Sequence, residues 1–386
     1  MVWSYESQEE YERSIASKRI FLSAPHMSEE GYERQFVQEA FDTNWIAPAG
    51  RNITLFEEEM AQKIGVSKTV ALSSGTAAIH MALKAAGVND GDTVMCSTLT
   101  FSASANPIRY VRANPVFVDS DEKTWNMDPN ALEKALQLYP DTKAVIVVHL
   151  YGLCADLDPI MEICKRHNVT VIEDSAESLG ALYRGKQVGT IGDYGVFSFN
   201  GNKIITTSGG GMLVGKDEER LDKVRFWSTQ ARDLARCYQH SELGFNYRMS
   251  NVLAGIGRGQ LRVLPRRVEK KKYIFEFYRK AFADIPDIQM MPINEWNEPN
   301  YWLTCITLHG SVRPIDIMRA LEDHQIECRP IWKPMHLQPF FEACPMIGGS
   351  VAESIFENGV CLPSDTKMTD EQLTEVCGII KGLWKK

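Results

Sequence analysis

The sequence predicts an α/β protein: a large first domain built on a mostly parallel sheet, and a smaller C-terminal α+β domain. Between about residues 69 and 174, short apolar runs of strand character alternate with stretches of helical periodicity, the pattern of βαβ units. Beyond Gly192 that alternation stops, and a glycine-rich loop, a long helical stretch and a mixed last third follow. A chain of 386 residues holds two or three domains at roughly 150 residues each.

Taken in order, residues 1–18 are charged and poor in strong apolar positions, so residues 1–20 read as an N-terminal extension with room for one helix. Apolar residues fall at helical spacing from Ser28 to Asn44 and again from Ile53 to Gly65. Thr69–Leu72 is the first strand, and a helix opens at Gly75 and ends near Gly87. Thr93–Cys96, Val116–Asp119, Ala144–His149 and Val169–Asp174 continue the strands, with helices over about 103–112, 129–138 and 157–167 between them. Tyr194–Phe199 and Gly211–Gly215 are two more strands, and a long helix covers about 252–282. In the last third, Trp302–His309 and Ile326–Pro330 read as strands, and Pro314–His324 and Thr369–Trp384 as helices. The boundary falls near 260, giving a large domain of residues 21–260 and a small one of 261–386.

Composition narrows the function. With 44% apolar and 24% charged residues, the chain is neither disordered nor fibrous. A net charge of −8 argues against a general nucleic-acid partner. No apolar run approaches the roughly 18 residues of a membrane span, and the polar, acidic start from Met1 to Glu10 is no signal peptide. Nine scattered cysteines without a C-x-x-C pair suit reduced, buried thiols in a cytoplasmic protein. The histidines show no paired-ligand spacing, so no metal site is expected. Gly210 to Lys216 approximates a phosphate-loop motif, but Asp217 stands where a magnesium-binding hydroxyl is needed, and Met212-Leu213-Val214 is strand-like.

Four segments carry possible chemistry. Ser73-Ser74-Gly75-Thr76 follows a strand and opens a helix, where free amides and the helix dipole attract anions; alone, it reads equally as an N-cap. Glu173-Asp174-Ser175-Ala176-Glu177 ends a buried strand, the edge of an open α/β sheet where ligands collect. A carboxylate there can pair with a cationic ring nitrogen or simply be solvated. Ser198-Phe199-Asn200-Gly201-Asn202-Lys203 precedes the glycines Gly209–Gly211. A partly desolvated lysine in such a loop can lose its proton and attack an aldehyde, while an ordinary surface lysine is the plainer reading. Gly244-Phe245-Asn246-Tyr247-Arg248 joins aromatic, amide and basic groups ahead of the long helix. Together, a phosphate cup, a carboxylate for a pyridinium nitrogen and an amine for an aldehyde are what pyridoxal phosphate needs.

With these motifs in place, the sequence resembles the DegT/DnrJ/StrS family of pyridoxal-phosphate-dependent nucleotide-sugar aminotransferases, from about Phe21 to the C-terminal helix. The resemblance implies the aspartate-aminotransferase-like fold type I, with a seven-stranded type of large sheet. It implies that Gly75, Thr76 and Ser198 hold the cofactor phosphate, that Phe101 stacks on the ring, and that Asp174 faces the ring nitrogen. Lys203 matches the lysine that carries the cofactor. Asn246 matches an asparagine that reaches the phosphate in the other subunit's site, which implies a homodimer with shared active sites. Asn200 stands where the family usually has histidine, Ser208–Gly211 where it has Gly-Glu-Gly-Gly, and Glu177 at a cofactor-binding place often held by glutamine or histidine. These departures look like the subgroup that aminates carbon 4 of UDP-4-keto-6-deoxy-N-acetylglucosamine, in bacillosamine synthesis, with L-glutamate as donor. Asn44 and Trp45, Arg232, and Arg329 and His336 lie in runs that fit that subgroup and are candidate substrate contacts. A dTDP-linked or 3-keto sugar, or the other epimer at carbon 4, keeps the same chemistry. A non-catalytic regulator is disfavoured because residues 1–20 are too short and acidic for a helix-turn-helix.

Overall fold

The computed structural model describes Ser7 and residues 19–385, so the expected N-terminal extension lies almost wholly outside the described residues. The chain enters through α1 (Tyr32–Asp42) and α2 (Arg51–Ile64) and then alternates. β1 (Thr69–Leu72), α3 (Gly75–Ala85), β2 (Thr93–Ser97), α4 (Ser102–Tyr110), β3 (Asn114–Val118) and α5 (Pro129–Leu138) come first. β4 (Ala144–Val148), α6 (Leu157–His167) and β5 (Thr170–Asp174) follow, then the short β6 (Leu182–Tyr183) and β7 (Lys186–Gln187). Next are β8 (Tyr194–Ser198), β9 (Gly211–Gly215), α7 (Glu218–Ser228) and α8 (Asn251–Ala281). The remainder holds β10 (Ile288–Met290), β11 (Asn297–Glu298), β12 (Thr304–Leu308), α9 (Pro314–Glu322), β13 (Arg329–Pro330), β14 (Met346–Ile347), α10 (Val351–Asn358), β15 (Gly359–Leu362) and α11 (Asp370–Gly382).

The large sheet runs β1-β9-β8-β5-β4-β2-β3-β14. Its interior is parallel and only β9 pairs antiparallel, with β1 and β8. Strands such as Ala144–Val148 are buried along their full length, as a sheet covered on both faces requires. The seven strands expected from the sequence are all in it. The eighth, β14, comes from beyond residue 261 and pairs with β3 through Met346 and Ile347.

α8 runs without interruption through the boundary expected near 260. Its apolar face is continuous: Leu261 and Leu264 pack in the core shared with the large sheet. Ile274 and Tyr278 pack in a second core with Ile306, Val360, Leu373 and Val376. One helix thus serves both layers. Its first turns cross α1 and α2 closely because Gly255, Gly257 and Gly259 bring no side chain; a β-carbon at Gly257 would lie 2.6 Å from the Phe56 ring.

The small sheet runs β10-β12-β15-β13 and is covered by α9 and α11. Of the strand expected over Ile326–Pro330, only Arg329–Pro330 pairs as β13. Ile326 instead bridges Ile20, which joins the same core. All nine cysteines are unpaired. No helix of the described residues is long and apolar enough to cross a membrane.

Candidate active site

A cavity of about 900 Å³ opens beyond the carboxyl ends of β5 and β8 and is walled by residues of the C-terminal region. Gly75, Thr76, Phe101, Asp174, Glu177, Ser198, Lys203 and Arg329 all line it. Segments far apart in sequence are therefore brought together, as their strand-end positions require.

One corner is built for close approach. Ser74 caps α3, its Oγ accepting from the Ala77 amide at 3.0 Å, which leaves the first-turn amides of Gly75 and Thr76 without intrahelical partners. Ser198 faces them from the end of β8, and a β-carbon at Gly75 would come within 3.1 Å of its Cβ. On β9, a β-carbon at Gly211 would sit 2.3 Å from the Ser74 carbonyl carbon. Glycine at both positions keeps the turn and the strand end apposed, and the resulting small-residue, amide-lined corner suits a phosphate.

Asp174 is buried at the last position of β5, opposite Val148 and Val196. Its Oδ2 accepts from Ser104 Oγ at 2.6 Å and its Oδ1 from the Ala176 amide at 3.1 Å. Ser104 is in turn hydrogen-bonded to Thr100 at 2.6 Å, so the carboxylate is oriented by a chain of hydroxyls.

Lys203 is largely buried; its Nζ lies 3.7 Å from Glu177 Oε1 and 4.1 Å from the centre of the Trp302 ring. Burial lowers the Lys203 pKa, against the opposing pull of Glu177 and Asp174. Burial also raises the Glu177 carboxyl to about 7, with Lys203 and the Tyr151 amide acting the other way. Both shifts favour the neutral forms, so the pair can trade a proton at modest energy. Phe101, half exposed at the lip, tilts against Trp332 with ring centres 5.4 Å apart. Lys333 and Arg329 add cations to the same wall.

The remaining candidates lie elsewhere. Asn44 and Trp45 are exposed, and the Trp45 carbonyl accepts from Asn251 Nδ2 at 2.7 Å. Arg232 is exposed and stacks over Tyr238 at 4.2 Å. Asn246 is exposed and bridges Thr229. His336 does not line the cavity; it is held between Thr98 Oγ1 at 2.6 Å and Glu353 Oε1 at 3.2 Å. Sequence reasoning missed Tyr151 and Trp302, which pack beside Lys203 and Glu177. A conspicuous sign was the glycine following Tyr151 at a strand end, in His149-Leu150-Tyr151-Gly152.

Comparison with known proteins agrees with this geometry. The model of the DegT/DnrJ/EryC1/StrS aminotransferase family matches residues 27–381. EpsN of Bacillus subtilis strain 168, named as a pyridoxal phosphate-dependent aminotransferase, is 49% identical over 95% of this chain and 96% of its own. A GDP-perosamine synthase of Caulobacter vibrioides is 38% identical over 93% of this chain and 96% of its own. A UDP-N-acetyl-3-dehydro-α-D-glucosamine 3-aminotransferase of Acidithiobacillus ferrooxidans is 32% identical over 84% and 86%. The sugar aminotransferase Spr1654 of Streptococcus pneumoniae, in its pyridoxal-phosphate form, superposes with a TM-score of 0.87 at 26% identity, over 94% of this chain and 98% of that one. The chain belongs to the DegT/DnrJ/EryC1/StrS aminotransferase family, as a sugar aminotransferase with pyridoxal phosphate as its cofactor.

Proposed function

We propose that the protein moves an amino group from L-glutamate to carbon 4 of UDP-2-acetamido-2,6-dideoxy-4-ketohexose, giving the UDP-4-amino-4,6-dideoxy-N-acetylglucosamine of bacillosamine synthesis. The observation that carries this reading is the shared cavity: the buried Lys203 and Asp174 line it together with Arg329, Lys333 and Trp332. Guanidinium and ammonium groups match a diphosphate, and an indole face matches a base or sugar ring.

In this reading Gly75, Thr76 and Ser198 would hold the cofactor phosphate, Phe101 would stack on its ring, Asp174 would pair with its nitrogen and Glu177 would complete the binding site. Bound there, pyridoxal phosphate supplies an aldehyde for amines and a ring that takes up electrons from a breaking C–H bond. Asp174 keeps the ring nitrogen protonated, and the hydroxyl chain through Ser104 fixes where its charge points. Lys203 Nζ moves the proton off the α-carbon of glutamate, and burial favours the neutral amine that this task needs. Glu177 faces the ammonium that results, 3.7 Å away. Asn246 acts across the interface of a homodimer with shared sites. Nine unpaired thiols suit the cytoplasm.

A GDP-linked acceptor is the second reading, favoured by the likeness to a GDP-perosamine synthase. The test offers glutamate-treated enzyme UDP-, GDP- and dTDP-linked 4-keto sugars and a UDP-linked 3-keto sugar, side by side, with the product located by NMR. Amination at carbon 4 of the UDP sugar, at least tenfold faster than of the others, is expected. Faster use of any other acceptor overturns the substrate assignment and leaves the aminotransferase in place.

A further inference from the structure

Tyr151 is a large side chain with no exposure, in a left-handed backbone conformation with φ 54° and ψ 18°. That region is uncommon for a bulky residue, whose β-carbon crowds the following carbonyl there. The chain holds it there from several directions. The Leu150 amide donates to Asn126 Oδ1 at 2.9 Å. His149 accepts from the Ala155 amide at 3.1 Å on Nδ1 and bonds Glu173 at 2.9 Å on Nε2. Asn300 fills the space a β-carbon at Gly152 would need, 1.9 Å from its Oδ1. Strain maintained by its surroundings marks a functional demand.

The contacts of Tyr151 show what the strain accomplishes. Its amide donates to Glu177 Oε2 at 2.6 Å, on the carboxylate whose other oxygen faces Lys203. Its hydroxyl accepts from the Trp332 amide at 3.0 Å. Its ring lies 4.9 Å from Trp332 and 6.3 Å from Trp302, the indole beside the Lys203 ammonium. We propose that Tyr151 is a positioning residue for amino transfer, its left-handed backbone holding Glu177 against Lys203 while its side chain braces the two indoles that wall the cavity. The ionisable groups facing Glu177 are Lys203, Asp174, the Tyr151 phenol and the Cys305 thiol.

The proposal rests on the reading of Lys203 as the lysine that carries the cofactor, which is checked first. Wild type must show a visible cofactor band that glutamate bleaches, and Lys203→Ala must lack it; otherwise that reading fails, before Tyr151 is tested. The test then compares Tyr151→Gly, Tyr151→Val and Tyr151→Phe in the pH midpoint of that band. Glycine adopts positive φ freely and β-branched valine does not, while both remove the ring. The expected result is a wild-type midpoint in Tyr151→Gly and Tyr151→Phe. In Tyr151→Val the midpoint falls by at least half a unit, because Glu177 without its amide donor is a poorer counter-charge to Lys203. Loss of cofactor in Tyr151→Val alone counts the same way. Equal midpoints in the glycine and valine variants, or loss of cofactor in both, would overturn the backbone role.

Discussion

Lys203 stands between a carboxylate that would keep it charged and a burial that would not, and the chemistry proposed for it depends on that balance. Replacing it by alanine should abolish the glutamate response and slow turnover at least about a thousandfold, as stopped-flow absorbance would record. Glu177, held near 7 chiefly by burial, loses its charge as pH falls through that value. Glu177→Gln removes the counter-charge to Lys203 at every pH, so the pH midpoint of the cofactor band should fall relative to wild type, read by spectrophotometric titration. Lys271 offers a stability test outside the catalytic machinery. It is fully buried, donates to Ser23 Oγ at 3.0 Å and to the Trp302 carbonyl at 2.9 Å, and burial lowers its pKa to about 7. Above that pH the folded chain has released a proton that the unfolded chain keeps until about pH 10. Wild type should gain stability from pH 7 toward 10 relative to Lys271→Met, by at most about 1.4 kcal/mol per unit; denaturant midpoints across that range check it. At this scale Asp174 at the end of β5, Lys203 in the loop after β8 and the glycine-flanked turns were legible as candidates, because each is an unusual residue for its place. Tyr151 was not, since the glycine after it was its one sequence sign and nothing in its own identity announces a positive φ.

The elements follow the periodicities of the sequence wherever one face is buried. Helices 129–138 and 157–167 and strand Thr69–Leu72 sit at their expected bounds. What escaped is what long-range pairing creates: β14 has two residues and exists only because β3 offers an edge. β15, buried throughout, carries no alternation to read. The helix α7, Glu-Glu-Arg-Leu-Asp-Lys-Val-Arg-Phe-Trp-Ser, is mostly charged, and its place is fixed by Leu221, Val224 and Trp227 against the large sheet. Packing between helices is where a small change should tell. Gly257→Ala would drive a methyl into the Phe56 ring at the α2–α8 crossing, and overpacking of this kind costs about 1–3 kcal/mol. Urea unfolding of the variant should show that loss, and full stability would mean the crossing has slack the structure does not show.

For the whole molecule, the long helix α8 ties both layers into one body, and the cavity forms where they meet. The two-layer plan was legible as a change from alternating to mixed elements. The helix that spans position 260 serves two cores with one apolar face, so its sequence pattern carries no break there. The homodimer proposed above has its own test. If Asn246 completes the partner's site, mixing inactive Lys203→Ala with impaired Asn246→Ala chains should regenerate one intact site per hybrid dimer. Activity should then rise well above the sum of the two variants, whereas no gain after subunit exchange would place Asn246 outside the shared site. A Lys203-borne cofactor that carries the amino group from glutamate to a UDP-linked 4-keto sugar would reveal each half of that transfer in visible absorption. The spectrum is recorded before L-glutamate, after it, and after the acceptor. Glutamate should abolish the band, and UDP-4-keto-6-deoxy-N-acetylglucosamine should restore it at least tenfold faster than its dTDP and GDP counterparts. A band that glutamate leaves untouched, or none after adding pyridoxal phosphate, would contradict that transfer.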